Sequence, residues 1–336
     1  MRQENVRTRL TRVMFATAVL GGAVVVDGAA GASRVGSRAS SHALTTVHVG
    51  TLPIVDDAPI YVGMKEGFFA RAGIKVVPVA AENGSAIVPA VLAGSEQFGF
   101  SNNTSLIVAS SKGLPVTIIS GALTSGGSTK SGYSELVVKA SSPIKTLADL
   151  KGATIAVNAL GNVGPLTVNY ALQKAGVNPA SVRYVVIPFP SMNSALQKGQ
   201  VQVIWDIEPF LALFRAEKYP IRVLANTMTT VSPNFPVSSY FTSASYLASH
   251  RQTVVAFARA LRESLAFSES HLNVVASVLP TYTAITGHLA HFLVYPTFTS
   301  NPEVAVLHKT AQLAVSYHFT TSAPRWGELL SGLGKG

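Results

Sequence analysis

The chain has 336 residues, of which 48% are hydrophobic and only 12% charged; this excludes a disordered chain and, at roughly 150 residues per domain, allows about two domains. It has no cysteine, which excludes a disulfide framework, a cysteine-ligated zinc or iron–sulfur site and a thiol nucleophile. The net charge is +10, but the lysines and arginines are scattered singly without aromatic interleaving, so no nucleic-acid partner is expected.

In chain order, residues 1–32 read as a signal peptide. Arg2, Arg7, Arg9 and Arg12 form a basic region, an apolar run follows over 13–26, and Ala30-Gly31-Ala32 offers small residues for cleavage. The run is short against the ~20 residues a membrane span needs; an uncleaved anchor is the alternative. Residues 33–45 are small and polar and read as a flexible leader. The remainder is expected outside the cytoplasm, periplasmic or extracellular, and without a lipid-bearing cysteine.

From residue 46 short apolar runs alternate with helical patterns. Strands are expected over 46–52, 74–79, 98–100 and 116–120. Helices are expected over 59–69, 85–93 and 105–111, the last two stopped by Gly94 and Gly113. Residues 123–132 are nearly free of apolar side chains and read as a crossover. A second series follows, with strands over 136–139, 154–157, 182–187, 201–205 and 221–224. Its helices run over 163–174, 191–198 and 209–217, the last with Pro209 in its first turn. Residues 225–236 read as a second crossover. The tail is helical, and Val254, Ala258, Leu261 and Leu265 lie on one helix face. Strand–helix alternation predicts an α/β fold with mixed, mostly parallel sheets flanked by helices.

One internal echo joins the two series. Gly94 is followed by Gln97, a short apolar strand, and then Ser101 and Asn103; Gly199 is followed by Gln202, a strand, and then Asp206 and Glu208. Ligands of parallel sheets bind at the carboxyl ends of strands. Two half-domains presenting polar groups at equivalent ends suggest two lobes facing across a cleft.

These residues resemble the solute-binding proteins of ABC importers, in the SsuA/THI5-like branch shared by sulfonate-, taurine-, nitrate- and thiamine-precursor-binding proteins. The similarity is carried by PIYVGMKEGFF from Pro59, AGIKV from Ala72, AVLAG from Ala90 and GLPV from Gly113. It continues through SPIKTLADLKGATIAV from Ser142, ALQKG from Ala195 and EPF from Glu208, in shared order and spacing. The resemblance spans about residues 46–225 and continues more loosely to about 320. It implies a type II periplasmic-binding fold of two lobes joined by two crossovers that closes on a solute. Lobe one is then discontinuous, 46–124 plus 236–320, and lobe two is 133–225, with crossovers at 125–132 and 226–235 and a tail at 321–336. The family usually has aspartate where this chain has Gln97 and Gln202.

Each candidate site residue carries two readings. Asp56 and Asp57 follow the first strand, either as cleft carboxylates or as a turn capping the next helix. Asn83 and Ser85 open a helix, either as a plain cap or as part of an anion-accepting N-terminus. Ser101, Asn102 and Asn103 with Thr104 form a strand-end cluster larger than one cap needs. Asn158 and Asn162 are its counterpart in the second lobe. Trp205, Asp206 and Glu208 offer an aromatic face and two carboxylates, against a reading in which Trp205 is core and Glu208 a cap. Four acids without an obvious arginine lean away from a strongly anionic solute.

Ser142-x-x-Lys145 lacks the further motifs of penicillin-recognising enzymes, and His288 with His291 lacks further ligands. No catalytic residue, cofactor or metal is expected. The expected function is a monomeric solute-binding protein, not an enzyme, with a small-molecule solute and an ABC permease as partners. The alternatives are a ligand-binding sensory module or a secreted enzyme on the same fold.

Overall fold

The computed structural model describes residues 43–126 and 132–334. The expected signal, most of the leader and the middle of the first crossover lie outside the described residues. The strands are β1 (Thr45–Thr51), β2 (Ile74–Ala80), β3 (Phe98–Asn102), β4 (Val116–Thr124), β5 (Ser134–Lys139), β6 (Thr154–Val157), β7 (Arg183–Val186), β8 (Val203–Ile207), β9 (Ile221–Ala225), β10 (Pro236–Ser243) and β11 (Thr297–Phe298). They form two mixed sheets, ordered β2-β1-β3-β10-β4-β11 and β7-β6-β8-β5-β9.

The two orders repeat one plan. In each sheet the first strand lies between the second and third, all parallel. An antiparallel strand, β10 or β5, then follows the third. That inserted strand comes from elsewhere in the chain: β5 follows β4 of the other sheet, and β10 follows β9. The chain therefore passes between the sheets twice. The paired glutamines do matching work. Gln97 Oε1 accepts from the His48 amide of β1, and Gln202 Oε1 from the Thr154 amide of β6, each at 2.8 Å.

Helices cover the sheets. The first series holds α1 (Ala58–Lys65), α2 (Phe68–Arg71), α3 (Gly84–Ala93) and α4 (Asn103–Ser111). The second holds α5 (Val163–Lys174), α6 (Phe189–Gln197), α7 (Phe210–Ala216) and α8 (Thr227–Val231). The tail holds α9 (Ala244–Ser249), α10 (Arg251–Ser270), α11 (Leu272–Val278) and α12 (Val304–Ser316). The stripe of α10 packs as its spacing predicts, with Val254, Ala258, Leu261 and Leu265 all buried. No helix among the described residues is long and apolar enough to cross a membrane.

Several boundaries differ from the sequence expectation. The helix expected over 59–69 is two, because Gly67 adopts a φ of 75° that ends α1 and starts α2. Strand β4 runs on to Thr124 through a segment expected to be loop, and every residue of it is buried. Strand β10 (PVSSYFTS) lies in a region read as crossover and helical tail. It sits between β3 and β4, buried along its length, so ladder bonds and small side chains suit it better than an alternating pattern. The second crossover region contains α8.

Candidate functional site

A cavity lies where strand ends of the two sheets meet. Leu52, Ile54, Asp56, Gly84, Phe100, Asn102, Val237 and Ser238 line one side; Tyr133, Asn158, Asn162, Val163, Phe189, Trp205, Ile207 and Met228 line the other. The empty space between its walls is about 360 Å³, at the small end of ligand pockets.

Local chain chemistry sets each wall. Chain leaving β1 makes a tight turn over Val55–Asp57 before Pro59 opens α1. That turn buries Asp56 at the cavity and Asp57 behind it. Asp57 accepts from the Leu52 amide at 2.7 Å and from the Tyr240 hydroxyl at 3.2 Å. Asp56 Oδ1 has no hydrogen-bond partner among the described residues. Burial raises the Asp56 pKa from 3.8 to about 7 and pushes Asp57 well up too. Gly84 opens α3 against β3; a Cβ there would lie 2.5 Å from Ser101 Oγ, so only glycine permits this approach.

Asn102 ends β3 and caps α4. Its Oδ1 accepts from Ser105 N at 2.9 Å, and its Nδ2 donates to Ser105 Oγ at 3.0 Å. In the other wall Asn162 caps α5 by accepting from the Val163 amide, and its Nδ2 approaches Asn158 Oδ1 at 3.4 Å. Trp205 is fixed at its edge, where Nε1 donates to Thr227 Oγ1 at 3.1 Å. The first turn of α5 lies on the indole, and a Cβ on Gly164 would approach it to 2.8 Å.

Of the sequence-named residues, Asp56, Asn102, Asn158, Asn162 and Trp205 come together at the cavity. The others lie elsewhere. Asn103 bonds to β10, donating to the Pro236 carbonyl at 3.0 Å and accepting from Ser239 at 2.7 Å. Ser101 is buried against Gly84. Asn83 caps α3 through the Ala86 amide, and Ser85 lines a second pocket with Ser105 of the first series and Leu160 and Gly161 of the second. Asp206 points to the opposite face of β8 from Trp205, because strand neighbours alternate. It is fully buried, its Oδ1 accepts from Ile207 N, and burial pushes its pKa well up.

Glu208 is occupied too. It accepts from the Arg215 guanidinium, from Ala212 N at 3.0 Å and from Val294 N at 3.1 Å. Arg215 was not expected as its partner; it also lies 3.7 Å from Glu135 and donates to the Phe292 carbonyl at 3.1 Å. Burial outweighs the arginine and holds the Glu208 pKa at about 7. Sequence reasoning missed Tyr133, Phe189, Phe100, Met228 and Ser238. Phe100 ends the apolar run of β3 two residues before Asn102, so its place on the same strand face was readable; Ser238, on the unrecognised β10, had no such signal.

A model of the family described as NMT1/THI5 like matches residues 55–271. The chain belongs to this family. The Bacillus subtilis (strain 168) protein YtlA, assigned as a binding protein, is 23% identical over 64% of this chain; the match spans 63% of the length of that relative. Two solved structures share the fold. The periplasmic aliphatic sulphonate-binding protein SsuA from Escherichia coli has a TM-score of 0.67 at 18% identity, over 83% of this chain and 95% of its own. The ligand-binding component of an ABC-type import system from Staphylococcus aureus has a TM-score of 0.73 at 12% identity, over 85% and 96%. These relatives are binding proteins rather than enzymes.

Proposed function

We propose that the protein is the solute-binding component of an ABC importer, exported from the cytoplasm. It captures a small organic solute between two lobes built on the two sheets and presents the closed form to a membrane permease. The reading is supported above all by the cavity, whose walls come from both sheets and are joined only by two chain passages and packing. Such an arrangement can open about the passages and close on a ligand. Family membership and the kinds of protein that share the fold support the same reading.

Asp56, Asn102, Asn158, Asn162 and Trp205 are proposed to touch the solute, together with Phe100, Phe189 and Ser238. Asp57, Asn103 and Glu208 are proposed to hold the frame around it. On this reading the protein acts by binding and release.

A thermal-shift screen of small organic solutes tests this. A solute at 1,000 times its dissociation constant adds about 4 kcal/mol, a rise of several degrees for a protein of this size. The expected result is one clear hit, lost in Trp205→Ala and Asn158→Ala. No hit, with nothing copurifying in native mass spectrometry, overturns the proposal.

A further inference from the structure

The cavity lining holds one carboxyl group, that of Asp56. Among the described residues of its lining there is no Lys, Arg or His beside Asp56. Two buried polar atoms there have no partner among the described residues, Asp56 Oδ1 and Ser238 Oγ. Both can accept a hydrogen bond, and a polar group left unmatched in a buried site is costly unless a ligand satisfies it. The wall also holds four aromatic side chains, Phe100, Tyr133, Phe189 and Trp205, and aromatic faces attract cations when water is excluded.

One feature of the site favours an anion. The N-termini of α3, α4 and α5 lie at the cavity through Gly84, Asn102 and Asn162, and helix N-termini attract negative charge. In the first turn of each, however, one amide is held by the capping asparagine, that of Ala86 by Asn83 in α3. Ser105 N is held by Asn102 and Val163 N by Asn162. An anion would also meet the Asp56 carboxylate in a dry space, where like charges repel strongly.

Resting on the reading of this cavity as the solute site, we propose that the solute is a small organic cation, a nitrogen base carrying apolar carbon. Its N–H groups sit on Asp56 and Ser238, and its carbon packs against Phe100, Phe189 and Trp205. The site is thereby opposite in charge preference to that of a sulphonate-binding protein of the same fold. The titratable groups around Asp56 are Asp57, Tyr133, Tyr240 and Tyr282, none of them cationic, and Arg215 is engaged by Glu208 and Glu135. Because Asp56 holds its proton up to about pH 7, a cation must displace that proton, whereas an anion would need it kept.

Calorimetric titration with two matched sets tests the proposal: benzamidinium, benzamide and benzoate, and acetamidinium, acetamide and acetate, each at pH 6 and pH 8. The amidinium of at least one set should bind about tenfold or more tighter than its amide and acid, and about tenfold tighter at pH 8 than at pH 6. Asp56→Asn should abolish both preferences, and Ser238→Ala should weaken binding without changing the pH trend. An acid that binds as well as its amidinium, or binding that tightens toward pH 6, overturns the cation assignment and leaves the binding function standing. If none of the six binds, the cation assignment also falls. A neutral or anionic hit in the thermal screen then keeps the binding function; no hit, with nothing copurifying, removes both.

Discussion

Asp56 is the residue on which the site's electrostatics turn. It is buried, one of its oxygens is unmatched, and burial holds its pKa at about 7 against an ordinary 3.8. The folded state therefore keeps a proton that the unfolded chain releases. The stability this proton confers is complete below about pH 4 and is lost as pH rises through 7. Asp56→Asn cannot ionise, so without solute it should be more stable than the wild type by about 1–4 kcal/mol at pH 8, with little difference at pH 4. Urea melts of both proteins at the two pH values check this. Equal pH dependence in wild type and variant would show that Asp56 does not carry the buried proton. A site residue that weakens the empty protein is expected where function sets the side chain.

At the scale of elements, β8 and the helix after it show what a sequence leaves open. The Gly–Gln–strand echo was legible because each glycine ends a helix and each glutamine ties the following turn to a neighbouring strand amide. Which way the β8 side chains point was not. A strand sends Trp205 and Asp206 to opposite faces, and only the pairing of β8 with β5 and β6 fixes which face looks into the cavity. Glu208 was ambiguous for another reason: its partners Arg215 and Val294 come from α7 and from a tail segment far along the chain, and Arg215 also donates to the Phe292 carbonyl of that segment. These contacts make Glu208–Arg215 a clasp between α7 and the segment after α11. Arg215→Met would leave Glu208 and Glu135 buried without their cation. It should cost about 3–5 kcal/mol in denaturant melts, with part recovered in the double variant Arg215→Met, Glu208→Gln. A loss under 1 kcal/mol would mean that the clasp contributes little.

At the scale of the whole molecule, the α/β fold was legible because strand–helix alternation and helix-ending glycines recur along the chain. The strand inserted into each sheet was harder to read. β10 is rich in serine and lies in a region read as crossover and helical tail, yet pairing on both edges defines it. It contributes Ser238 to the cavity, so the missed strand and the missed site residue share one cause. The two sheets, the two passages between them and the cavity at their strand ends make the proposed device, in which a solute would bridge walls carried by separate sheets. The chain has two tryptophans, and only Trp205 lines the cavity, while Trp326 packs against His308 in an outer groove. Trp326→Phe therefore leaves a single tryptophan, at the proposed site. Titration of that variant with the solute found by thermal shift should change the Trp205 emission saturably, with the dissociation constant seen by calorimetry. A solute that stabilises the protein and leaves the emission of Trp205 unchanged would place binding elsewhere and contradict the account.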